Sequence, residues 1–354
     1  RHNTRSGSGC SERAAGQPMK LRVAGLGAGY FSRFHYDAWR RLPEADLVGV
    51  ADTNLVKAGE TGAPAYPTLP AMLKATSPDL LDIITPPETH LDAIKTALDH
   101  GIAAIICQKP FCSSLDQART AKALAAQANV PLIIHENFRF QPWYRLIRNQ
   151  IDSDAIGTVH QITFRLRTGD GQGPQAYLDR QPYFQTMPRL LVHETAVHWI
   201  DTFQYLLGPA QAVYADLRRM NPAIAGEDAG YVIFDFPGGV RALFDGNRHL
   251  DHAAENHRMT LGEALVEGAR GTLTLSGTGA VHHRGFGELQ QRCILETEDW
   301  AGFAGDCVHA LQAHVIAGLL HGRPLENTAA DYLNVIEVEE AIYRSAHEWR
   351  KIEV

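Results

Sequence analysis

The 354-residue sequence has no CxxC pair, no internal repeat and no excess of basic charge. Its five cysteines, at positions 10, 107, 112, 293 and 307, are odd in number and scattered. Neither a disulfide framework nor a zinc ribbon is indicated, and a reducing compartment, the cytoplasm, is the simpler expectation. A formal net charge of −7 argues against a general nucleic-acid binder, which needs a basic stripe. No apolar run approaches the roughly 18–20 residues of a membrane span, so no membrane partner is expected. What is present is ordinary for a globular chain: 45% hydrophobic and 21% charged residues, enough for two domains. Residues 1–18 are polar and rich in Gly, Ser and Arg. They lack the apolar core of a secretory signal and are read as a flexible extension, with the first domain starting at Met19.

The first half alternates apolar strands with helical stretches. Strands are expected over 21–27, 45–52, 79–86, 102–110 and 130–140, and helices over 32–42, 90–101 and 113–128. Gly101 is the stop of the second helix, and Ser113 or Ser114 the cap of the third. Continuous apolar strands alternating with helices mean a parallel sheet covered on both faces. Such sheets bind ligands at the carboxyl ends of their strands.

Gly25 and Gly27 close the first strand and Gly29 follows it. The first two fit the dinucleotide fingerprint, one for the tight turn and one for approach of a pyrophosphate to the backbone. The third fingerprint position holds Tyr30, so the full G-x-G-x-x-G is not met, and a glycine-rich turn without a ligand is the alternative. Asp52 ends the second strand, 25 residues after Gly27, near the roughly 20 expected of a ribose-binding acid. A carboxylate there accepts from a 2′-hydroxyl and repels a 2′-phosphate, which favours NAD over NADP. A simple turn aspartate is the competing reading.

From about residue 150 the alternation stops. Strands with period-two stretches are expected over 158–169, 210–220, 229–237, 239–250 and 271–277, pointing to a mostly antiparallel sheet with one face on helices. Helices are expected over 190–208, 307–322 and 328–348. In the first of these, Glu194 and His198 stand four apart, on one face of an α-helix, with Asp201 three beyond. A carboxylate one turn before a histidine can fix the ring's tautomer for general-base work. A solvated helix face has the same spacing. His249, His252 and His257 invite a metal reading, but no ligand spacing is recognisable; an ordinary polar loop is expected there, and no metal.

The glycine loop, Asp52, TPPETH (85–90), a strand ending in Lys109-Pro110, NFRFQPWY (137–144), HETAVHWID (193–201) and the C-terminal GRPLENTAADYLNVIEVEEAIYRSA occur here in one order. In that combination the chain resembles the Gfo/Idh/MocA oxidoreductases, from about Met19 to its C-terminus. The resemblance implies an α/β Rossmann domain (19–140), an α+β domain with a large, mostly antiparallel open sheet for substrate and oligomer contacts (141–325), and a C-terminal helix packing back on the Rossmann domain (326–354). It implies NAD held by Gly25, Gly27, Gly29, Tyr30, Phe31 and Asp52, with Thr85, Pro86, His90 and Gln108 on the nicotinamide side.

The matching lysine of the family touches the nicotinamide ribose region and the reacting hydroxyl, a role that falls on Lys109. The family's acid/base histidine corresponds to His198, with Glu194 in place of the usual aspartate, and Gln108 stands where members usually have glutamate. Asn137, Arg139, His193, Asn247 and Arg248 are candidate substrate contacts, the two arginines suiting a carboxylate or else serving as structural ion-pair partners. The expected activity is NAD-dependent oxidation of a hydroxyl on a sugar, polyol or sugar acid by a homodimer or homotetramer. Two rivals stay open: isomerisation or glycoside cleavage with an internally recycled hydride, and a dinucleotide sensor that kept the fold without the chemistry.

Overall fold

Val23, Val50, Leu80, Ile83, Ile105 and Ile106 have no solvent exposure, as strands buried on both faces require. They belong to β1 (Leu21–Leu26), β2 (Ala45–Ala51), β4 (Leu80–Ile83) and β5 (Ala104–Gln108). With β3 (Ala65–Tyr66) and β6 (Leu132–His135) they form one sheet in the order β3-β2-β1-β4-β5-β6. These positions come from a computed structural model, which describes residues 20–354; the extension expected over 1–18 lies outside the described residues. Every pairing in this sheet is parallel. The crossovers carry α1 (Ser32–Arg41), α2 (Leu55–Glu60), α3 (Leu69–Thr76), α4 (His90–Asp99) and α5 (Leu115–Gln127). The strand order reverses between β1 and β4, which opens a crevice at their carboxyl ends.

The expected strands are present but shorter at their carboxyl ends. The last stops at His135, and the chain turns through Phe138–Phe140 before α6 (Pro142–Asp152). Ser114 caps α5 by accepting from Gln117 N–H at 3.3 Å, and Gly101 follows α4 at φ +73°. The sequence reading missed α2, β3 and α3, which are only six, two and eight residues long and so offer too few turns or alternations for a periodic pattern.

The second sheet has nine strands in the order β14-β13-β12-β11-β7-β10-β9-β8-β15. They are β7 (Val159–Leu166), β8 (Ala212–Arg218), β9 (Ala229–Asp235), β10 (Arg241–Asn247), β11 (Gly262–Gly268), β12 (Gly271–Leu275), β13 (Val281–Gly285), β14 (Arg292–Leu295) and β15 (Ile352–Glu353). Only β7 and β10 pair in parallel. β11, β13, β14 and β15 were not expected. Glycines and charged residues in β11 and β13 hide the period-two pattern.

One face of this sheet packs on α7 (Val197–Leu207), where Trp199 stacks on Phe164 at 4.1 Å between ring centroids. The expected helix over 190–208 divides: residues Leu191–Ala196 form a π-helical turn before α7.

Two helices return to the first sheet. α8 (Phe303–His321) includes a left-handed stretch at Ala304–Asp306, so its regular part begins at Cys307. It packs on α1, where Arg41 holds Asp306 by bonds of 2.7 and 2.6 Å. It therefore lies on the Rossmann half, although the sequence division placed it with the second domain. Its length and apolar composition would pass for a membrane span, but Cys307, Leu311, Val315 and Ile316 are buried in the core with Leu21, Tyr36 and Trp39. α9 (Ala329–Glu348) lies against α5 and β6 of the first half and against α7 and β8 of the second.

Candidate active site

The loop after β1 is built to bring a ligand close to backbone. Gly27 sits at φ +106°, and a Cβ there would stand 3.0 Å from Thr85 Cγ2 and 3.1 Å from the Ile84 carbonyl carbon. Gly25 has the Tyr36 ring in its Cβ position, and the Tyr36 hydroxyl donates to the Gly27 carbonyl at 2.5 Å. Asp52 ties the loop to β2, accepting from Ala28 N–H and Asn54 N–H at 2.7 Å each. A carboxylate has about four acceptor sites, so Asp52, only partly buried, retains lone pairs for ribose hydroxyls. A Cβ on Gly29 would meet nothing within 4 Å, which leaves an open face beside the loop. These residues fit a dinucleotide whose ribose is unphosphorylated.

Phe31 packs on Phe303 and His35, with ring centroids 5.5 and 5.7 Å away, and Tyr30 is exposed at the loop's rim. Thr85 forms the opposite wall, touching Gly27, with Pro86 beside it. His90 does not line this space. It is fully buried, its Nε2 donates to the Thr85 carbonyl at 2.7 Å and its Nδ1 accepts from Cys112 N–H at 3.4 Å. Burial pushes its pKa below the ordinary histidine value, so it is a neutral brace for the Thr85 turn and not the cofactor contact expected of it.

Gln108, expected against the cofactor, turns its amide inward instead. Its Oε1 accepts Lys109 N–H at 2.8 Å and its Nε2 donates to His35 Nε2 at 3.0 Å. His35 therefore carries its proton on Nδ1, which faces Asp82 Oδ2 at 2.8 Å. A glutamate at 108 would set a second carboxylate against the ring that already faces Asp82, whereas the glutamine amide donates to it.

Lys109 extends from the end of β5 and donates from Nζ to the Glu194 carbonyl at 2.7 Å and to Glu194 Oε1 at 3.0 Å. The expected pairing of Glu194 with His198 does not occur. The i→i+5 bonding of the π-helical turn inserts a residue, which turns Glu194 away from His198 and toward Lys109. His198 is held by Glu136, whose Oε1 stands 2.6 Å from its Nδ1, and its ring stacks on Phe138 at 3.8 Å and 5°. Glu136 has no exposure. Burial pushes its carboxyl up, but the interaction with His198, including their hydrogen bond, and the charge of Lys109 outweigh that and hold it below the ordinary carboxylate value. An acceptor on Nδ1 places the lone pair of a neutral His198 on Nε2.

Glu136 was missed by the sequence reading, although it follows the end of β6 just as Lys109 follows the end of β5. The substitution Glu136→Gln keeps volume and an acceptor while removing the charge. We expect kcat to fall about ten- to a hundredfold with the KM for NAD unchanged. A rise in KM with intact kcat would contradict the positioning role.

The candidate substrate residues separate. Arg139 grips Asp201 with bonds of 2.9 and 2.6 Å; it is a structural ion-pair partner. Arg248 is buried and donates to Thr195 Oγ1 at 2.8 Å and to Asp170 Oδ2 at 2.9 Å, so it braces the turn carrying Glu194. Asn137 is interior, its amide facing Cys307 Sγ at 3.1 Å. His193 pairs with Glu339 at 2.6 Å and lines a separate cleft of about 270 Å³, which contains none of Lys109, Glu136, Glu194 or His198. Asn247 faces the Met220 sulfur at 3.6 Å and accepts from His249 N–H. No cluster of metal-ligating side chains occurs among the described residues.

A reversed-order parallel sheet, a glycine loop tied to the acid that follows β2, and a lysine and a glutamate-held histidine set by adjacent strand ends mark the class of nucleotide-dependent oxidoreductases. Residues 21–136 match the oxidoreductase family with an NAD-binding Rossmann fold, and residues 144–276 match the GFO/IDH/MocA C-terminal domain. The chain is 32% identical to a D-apiose dehydrogenase of Paraburkholderia graminis over 347 residues, 95% of this chain and 90% of that protein. It is 25% identical to an inositol 2-dehydrogenase of Rhizobium meliloti over 95% of this chain and all of that one. Among solved structures, an oxidoreductase from Agrobacterium radiobacter in complex with NAD+, L-tartaric acid and magnesium superposes with a TM-score of 0.85 at 25% identity, over 95% of this chain and 98% of that one. The chain belongs to the Gfo/Idh/MocA family of NAD-binding oxidoreductases.

Proposed function

We propose that the protein is an NAD-dependent dehydrogenase acting on a secondary or anomeric CH–OH group of a sugar, polyol or sugar acid. The observation that carries this reading is a pair of braced groups set by adjacent strand ends: Lys109, just after β5, is held by Glu194, and Glu136, just after the neighbouring β6, holds His198. A dinucleotide sensor has no use for either. The relatives named as D-apiose and inositol 2-dehydrogenases favour a polyhydroxy substrate.

Bound NAD supplies the hydride acceptor. The protein supplies orientation and charge. His198 takes the hydroxyl proton on Nε2, with Glu136 fixing the ring. Lys109, as ammonium, donates to the same oxygen and stabilises the negative charge that develops there. Glu194 accepts from Lys109 and keeps the ammonium in place. Asp52 selects NAD over its 2′-phosphorylated counterpart by repulsion.

The outer face of the second sheet exposes Tyr214, Tyr231 and Ile233, side chains that suit contact with another copy in a homodimer or homotetramer. Cys107, Cys112, Cys293 and Cys307 are free thiols, which fits a cytoplasmic location.

The test is a spectrophotometric one. Purified protein is mixed with NAD and a panel of sugars, polyols and sugar acids, and NADH absorbance is followed. Sustained NADH formation with one class is expected. Bound NAD with isomerised product and no net NADH would replace this reading by internal hydride recycling.

A further inference from the structure

Two guanidinium groups from different domains converge on the Tyr30 phenol. Arg33, in the first turn of α1, donates to its oxygen at 2.9 Å. Arg258, in the loop between β10 and β11, donates at 3.0 Å. Arg33 also lies over the Tyr30 ring at 4.3 Å, and Arg258 lies over the Phe303 ring at 5.3 Å. Among the described residues neither arginine forms an ion pair; their side-chain partner is the phenol. A third guanidinium, Arg180, stands close by: burial and then the charge of Arg258 push its pKa down. Its carboxylate partner, Asp170, is shared with Arg248.

Like charges gathered without a counterion repel one another. Their position gives the arrangement a purpose. Tyr30 follows directly on the glycine loop, at the place where the dinucleotide fingerprint has its third glycine. The space beside Gly29 is open. Arg33 stands at the amino end of α1, where the helix dipole already favours an anion. A phenol can hold two guanidiniums in register without neutralising them, whereas a carboxylate there would remove their attraction for a ligand.

We infer that Tyr30, Arg33 and Arg258 form a two-domain clasp for the pyrophosphate of the bound dinucleotide, with Arg258 contributed by the substrate-side domain. The inference rests on the NAD-binding reading for the identity of the anion. Residue 258 lies in the matched C-terminal domain and residues 30 and 33 in the matched Rossmann domain, so cofactor affinity depends on both halves of the chain. Tyr30 is thus a substitution with its own function, replacing close helix approach by a bracket for two arginines.

The test is equilibrium binding to the full chain. NAD, ADP-ribose and adenosine are titrated, adenosine by competition, against the parent protein and Arg33→Ala, Arg258→Ala and Arg258→Lys. Loss of one charge-assisted contact is expected to weaken NAD and ADP-ribose about tenfold each. Adenosine, which lacks the pyrophosphate, should bind as before, and Arg258→Lys should retain part of the affinity. Unchanged ADP-ribose binding by Arg258→Ala would overturn the clasp. Equal weakening of adenosine would overturn it too, because the effect would then lie in the fold. Intact ADP-ribose binding with a raised KM for an anionic substrate would assign the arginines to the substrate. Failure of the parent protein to bind either dinucleotide fragment would sink the NAD reading and the clasp together, whereas an effect confined to the variants tests the clasp alone.

Discussion

Replacing His198 by alanine is expected to lower kcat by about 10²- to 10⁴-fold, the contribution of a well-placed acid–base group. The dissociation constant for NAD should change by no more than about twofold, because the proton transfer belongs to the transition state and not to cofactor binding. The geometry leaves the histidine little other work. Its Nδ1 is engaged by Glu136 at 2.6 Å, and one ring face is covered by Phe138 at 3.8 Å. The residue is 7% exposed, so a proton can be exchanged only through the Nε2 side. Single-turnover NADH formation and NAD titration, run on the same preparation, decide the matter. Equal losses in turnover and NAD affinity would remove His198 from the chemistry.

Changing Lys109 to methionine should have an effect of comparable size for a different reason. Removing one donor aimed at a developing oxyanion costs about 10²- to 10³-fold in kcat. The same change strands Glu194, whose carboxylate and carbonyl both accept from Nζ. Leaving that largely buried carboxylate unpartnered costs about 1–3 kcal/mol, so the melting temperature should fall as well. The double variant Lys109→Met with Glu194→Gln separates the two effects. It should recover the melting temperature while turnover stays low. Recovery of turnover in the double variant would make Lys109 a purely structural residue.

Features set by neighbours in the chain were legible in the sequence. The glycine loop, the acid closing β2 and the lysine closing β5 are each defined within one strand and its turn. Pairings between distant segments were not. Arg139 and Arg248 look like carboxylate receptors as residue types, yet their partners Asp201 and Asp170 stand 62 and 78 residues away. The four-residue spacing of Glu194 and His198 has one meaning on a regular α-helix and another where a wider turn intervenes. Glu136 lay beyond reach for the same reason, because the histidine it serves is 62 residues downstream. The strand-end rule that singled out Lys109 would have found it.

The return of α8 and α9 bears on how the molecule can be made. The nucleotide-binding half is encoded first, but its core includes Cys307, Leu311, Val315 and Ile316, packed with Leu21, Val23, Tyr36 and Trp39. Domains emerging from the ribosome usually fold in order of synthesis. Here the earlier half must wait with one apolar flank uncovered until the last sixth of the chain arrives. The two halves are therefore not interchangeable modules: a gene fragment cut at their sequence boundary would encode a wall without its outer course.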